Sequence, residues 1–167
     1  HGIIDKLTVI DTNSGRGNSD TILNSVCGGD EGLASAITSA ASDLGFNCRG
    51  VSRTKDGTIY AEATIYNKLK EESKRKVTSI TNRISTVHSE VNHYNKHNNL
   101  DSVWTSLDNC YFCSGFLQSN GIKHQNGGTH MPSDWTSPWG WRLHHVGMDS
   151  PSPWDYLIND LQYGYRT

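Results

Sequence analysis

The chain has 167 residues, enough for one well-buried core and slightly long for one compact domain. Hydrophobic residues make up 34 %, below the usual globular share, and Asn, Ser, Thr and Gly fill the difference; such a neutral polar surface points to an extracellular protein. The net charge of −2 gives no general pull towards nucleic acid or anionic membrane, and no apolar run nears the roughly 18 residues of a membrane span.

Ile3, Leu7, Val9 and Ile10 predict a first strand, ended by the Gly/Asn/Ser-rich stretch 12–19. Asp30 is placed to cap a helix whose apolar positions Leu33, Ile37, Ala40 and Leu44 recur at helical spacing, with Gly45 as its stop. Val51 to Thr54, the turn Lys55-Asp56-Gly57, and a run from Thr58 to Tyr66 then predict a hairpin. The second strand alternates: Ile59, Ala61, Ala63 and Ile65 lie on one face, and Tyr60, Glu62, Thr64 and Tyr66 on the other. Val77, Ile80, Ile84, Val87, Val91 and Tyr94 step by three and four and predict one long helix packed on a sheet. A further strand is expected within 102–117, from Ser102 to Leu107 or from Tyr111 to Leu117.

The expected class is therefore α+β: a β-α-β-β-α(-β) split βαβ sandwich with two helices on one face of an antiparallel sheet. Residues 1–117 would form its core. Residues 118–167, which hold every proline and four of the five tryptophans, would form an irregular extension on the same domain, closed by a short helix over 152–163.

Four cysteines, Cys27, Cys48, Cys110 and Cys113, read first as two disulfides. Cys27 and Cys48 flank a predicted helix of about twelve residues, roughly 18 Å long, so both are expected to bond forward to Cys110 and Cys113 in an undetermined pairing. Zinc is the competing use of Cys110-x-x-Cys113. His93 and His97 lie four apart on the predicted long helix, and with the two cysteines they form a Cys₂His₂ set in reversed order. A third possibility is metal-dependent hydrolase or nuclease chemistry carried by His130, His144 and His145, one activating water and another holding a divalent ion. Trp135, Trp139 and Trp141, beside His144 and His145, are candidate contact residues for a sugar or protein partner, because amphipathic rings bind well at interfaces.

The β-α-β-β-α order of residues 3–97 resembles the α/β-sandwich of secreted fungal killer toxins and related small fungal effectors. That resemblance implies a compact, cysteine-bridged, secreted protein that acts by binding a protein or glycan target on a cell surface. Proteins of that kind are mostly not enzymes, so binding without a cofactor is expected, while the charge and the short apolar runs themselves argue against a nucleic-acid partner and a transmembrane segment. The metal-dependent hydrolase is the alternative.

Overall fold

The computed structural model describes residues 15–84, 86–140 and 142–144. Its elements, in chain order, are β1 (Arg16–Gly17), α1 (Ser19–Val26), α2 (Glu31–Ser42), β2 (Gly50–Thr54), β3 (Ile59–Glu62), α3 (Ala63–Tyr66), α4 (Glu71–Lys74), β4 (Ser79–Thr81), α5 (Ser89–Lys96), β5 (Leu100–Thr105), α6 (Tyr111–Ser119), β6 (His124–Gln125), β7 (Asp134–Thr136) and β8 (Arg142–His144). The class is α+β. The strand expected at residues 3–10 and the helix expected at 152–163 lie outside the described residues.

Local signals account for the first half. Asn18 caps α1 by accepting from Thr21 N at 2.8 Å, and Asp30 caps α2 by accepting from Leu33 N at 2.9 Å. The hairpin forms around a turn in which Gly57 takes a φ of +92°, a conformation open chiefly to glycine.

The four-stranded sheet runs β4-β3-β2-β5. It is mixed, not antiparallel as expected, because β3 and β4 pair in parallel while β2 pairs antiparallel with β3 and β5. Its helices also cover both faces. Val51 stands in register with Ala61 and Trp104, and these pack with α1 and α2 in one core. Ser52 stands in register with Tyr60 and Val103 on the opposite face, towards α5. The second core joins Val91 of α5 and Val103 of β5 to Phe112, Phe116 and Leu117 of α6, and to Ile122 and Trp135. Ile122 and Trp135, both beyond residue 117, thus belong to this core.

Two sequence expectations change here. The strand ends at Glu62, and residues 63–66 make a helical turn instead of continuing the alternation. The long helix over 77–94 is not formed. Its first part is β4, its last part is the separate helix α5, and Ile80 and Ile84 are left exposed. Val77-Thr78-Ser79-Ile80-Thr81 is rich in β-branched residues, which favour a strand, and Thr78 N bonds Ile59 O at 2.9 Å as the chain comes alongside β3. Of the two stretches offered for a further strand, the first is β5, starting at Leu100, and the second is helix α6. No helix among the described residues is long and apolar enough to cross a membrane.

Candidate metal centre

Two helix starts converge here. His88 is the N-cap of α5 and Cys110 the N-cap of α6. The His88 Nδ1 atom lies 3.7 Å from Cys110 Sγ and 3.6 Å from Cys113 Sγ. All three ligand atoms lie within 4.8 Å of one another. Tetrahedral zinc, with Zn–N about 2.05 Å and Zn–S about 2.3 Å, separates its nitrogen and sulfur ligands by about 3.5 Å. The spacing fits.

Supporting groups set the chemistry of each ligand. His88 Nε2 donates to Asp134 O at 3.2 Å, which leaves Nδ1 as the lone-pair nitrogen facing the thiols. Trp135 Nε1 donates to Cys113 Sγ at 3.2 Å, and Cys113 N approaches Cys110 Sγ at 3.4 Å. Burial opposes ionisation of Cys110, but hydrogen bonding with Cys113 and His88 outweighs it and brings the thiol down to about 6. Cys113 is held well above the ordinary thiol value, first by burial and then by Cys110 beside it. For His88, burial disfavours the proton, but Cys110 and Glu90 outweigh it and the imidazole rises. The two shifts run in the directions in which each group favours the other's charged form.

Among the described residues three side chains converge, which would leave a fourth tetrahedral position for water or substrate, as in catalytic rather than structural zinc sites. A cavity of about 320 Å³ opens beside them, and its lining includes His88, Glu90, Cys110, Arg83, Asp108 and His130. That size admits one small ring system. Glu90 is only 3 % exposed, and its Oε2 accepts from Asn109 Nδ2 at 2.8 Å.

The segment before His88 is tied down by Arg83, which donates to Val87 O at 2.9 and 3.1 Å and to Cys48 O at 2.7 Å. Beneath it, the 1 % exposed Glu62 receives Gly50 N at 2.7 Å, the Ser89 hydroxyl, and His93 Nε2 at 3.3 Å. A Cβ at Gly50 would sit 2.5 Å from Ser89 Oγ, so glycine is needed for this close approach. Burial works against the Glu62 carboxylate; His93, Ser89 and Arg83 together overcome it and lower its pKa.

The structure corrects several expectations. All four cysteines are free, so the disulfides expected of Cys27, Cys48, Cys110 and Cys113 are not formed. Burial pushes the Cys27 and Cys48 thiols up to about 12, with a nearby carboxylate adding to each, so both stay neutral. In the expected Cys₂His₂ set the two cysteines do converge, but His93 and His97 do not join them. His93 is sealed between Ser52, at 2.6 Å, and Glu62, while His97 stacks on Tyr60 at 3.6 Å. His88 takes the ligand position. His130 lines the cavity, whereas His145 and Trp141 lie outside the described residues and of His144 only the backbone, in β8, is described. Trp135 is buried against Phe112 and Cys113 and is no surface contact; Trp139 is 44 % exposed. The sequence reading missed His88-x-Glu90, which stands upstream of Cys110-x-x-Cys113 and was the available signal.

The chain matches no family model, no curated protein and no solved structure.

Proposed function

We propose that the protein is a zinc-dependent hydrolytic deaminase acting on the exocyclic amine of a cytosine- or adenine-type base. The carrying observation is that His88, Cys110 and Cys113 converge at zinc-ligand spacing with the buried carboxylate of Glu90 lining the same cavity. A His/Cys/Cys site with a Glu two residues after the histidine, and Cys-x-x-Cys at the start of a later helix, is the arrangement zinc deaminases use for this reaction. One element differs, because Asn109 precedes the first cysteine where that arrangement has proline.

His88, Cys110 and Cys113 would hold the zinc, which would lower the pKa of a bound water and so supply the nucleophile at neutral pH. Glu90 takes the proton from the attacking water, passes it to the ring nitrogen, and delivers a proton to the departing amine. A C–O bond forms, the C–N bond breaks, and ammonia leaves with no change of oxidation state. The binding role expected for the Trp-rich segment has less support, since Trp135 is buried, although Trp139 is exposed.

The test is metal analysis of the purified protein, with ammonia release from cytidine, adenosine and a single-stranded oligonucleotide containing both bases. One zinc per chain and chelator-sensitive ammonia release are expected. Glu90→Gln should keep the zinc and the fold while turnover falls about 10²- to 10⁴-fold. A zinc-loaded wild type that releases no ammonia from any of the three would sink the reading.

A further inference from the structure

Glu90 is placed by a group that does not face the cavity. Asn109 is fully buried, and its Nδ2 donates to Glu90 Oε2 at 2.8 Å and to Thr105 Oγ1 at 3.3 Å. The amide orientation follows from chemistry: an ionised carboxylate only accepts, so the NH₂ end must face it. The Asn109 Oδ1 atom has no hydrogen-bond partner among the described residues. Leaving a buried carbonyl unpaired costs free energy, and a residue kept there for packing alone would have no need of an amide.

The surroundings hold Asn109 rigidly. Its backbone carbonyl accepts from Gly128 N at 2.8 Å. Thr105 is itself clamped by Gln125, whose Oε1 receives Thr105 N at 3.1 Å and whose Nε2 donates to Thr105 O. β5, β6 and the start of α6 therefore meet at one side chain. Glu90 Oε1 has no such bond among the described residues, and Glu90 lines the cavity.

Resting on the deaminase reading, we infer that Asn109 is the positioning residue of the reaction: it grips one carboxylate oxygen of Glu90 and aims the other at the substrate. It touches neither metal nor substrate. Proline at this position would supply no donor, so here the support of the general acid–base group comes from an amide side chain. Small displacements of a reacting group have large effects on rate, on the order of 10²-fold for about 1 Å.

The experiment compares wild type, Asn109→Ala, Glu90→Gln and the double variant, on cytidine, adenosine and the mixed oligonucleotide, with zinc content and Tm measured for each. For Asn109→Ala we expect zinc near one per chain, KM within about threefold, and kcat lower by about 10- to 100-fold. In the double variant, Asn109→Ala should add no further loss beyond Glu90→Gln, because it acts only through that carboxylate. Asn109→Leu keeps a similar size and removes the donor, and serves where the alanine variant does not fold. The Nδ2 resonances of Asn109 should also shift in Glu90→Gln, a readout independent of turnover. Full activity in both Asn109 variants beside an active wild type would overturn this inference alone, as would additive losses. An inactive, zinc-loaded wild type would overturn the deaminase reading and this inference with it.

Discussion

Helix α5 carries two histidine clusters that look alike in composition and differ in what is left open. His93 lies between Ser52 and Glu62, fully buried, with both ring nitrogens bonded. Five positions earlier, His88 has one nitrogen on Asp134 O and turns the other to two thiols at the wall of a cavity. A buried polar cluster with its bonds made holds the sheet to the helix. A cluster that faces open space beside a carboxylate is the one the proposed deamination would use. The first supports the second: Glu62 also binds Ser89, the residue between His88 and Glu90.

The sharpest way to break this contrast is to remove one ligand. Cys113→Ser should lower zinc affinity by more than about 100-fold, beyond the range seen for groups that merely orient ligands, and deamination should vanish with the metal. Retention of stoichiometric zinc by equilibrium dialysis would show that the three side chains do not form a centre. Glu62→Ala attacks the other cluster. It leaves His93, Ser89 and Gly50 N without their partner, and urea unfolding should show a loss of about 3–5 kcal/mol while the remaining folded protein still binds one zinc. A variant as stable as wild type would mean the network is not what joins α5 to the sheet.

The smallest effect concerns pH. Burial, then the charges of His93 and Lys96, hold His97 down at about 4. Unfolded, its imidazole takes up a proton near about 6.5, so stability is complete above that value and is lost as pH falls towards about 4. The ring is partly exposed, so the loss should be only about 1 kcal/mol after solvent screening. His97→Gln should flatten Tm against pH in this window. An unchanged slope would assign the acid sensitivity to other groups, since the lowered carboxyl of Glu62 acts only in more acidic solution.

How much could be read in advance depended on the range of the interactions. The caps at Asp30 and the turn at Gly57 are governed by residues within three or four positions, and both form as the sequence implies. The stripe from Val77 to Tyr94 misled because a 3.6-residue period was read without weighing the β-branched run 77–81, which a neighbouring strand could recruit. That error carried into the site. With a continuous helix, His93 and His97 looked like the histidines nearest Cys110 and Cys113; with the chain broken at 82–88, a different histidine arrives.

By itself the sequence determined the α+β class, the capped helix α2 and the β2–β3 hairpin, all carried by local propensity and short spacing. Only the tertiary structure decided which histidine completes the trio, which carboxylate enters the cavity, and that Glu62 turns inward. Those outcomes depend on contacts between residues 20 or more positions apart, such as His88 with Cys110 and Glu62 with Ser89. Whether such groups meet is set by how the strands pair and which sheet face each helix covers, and no local pattern encodes either.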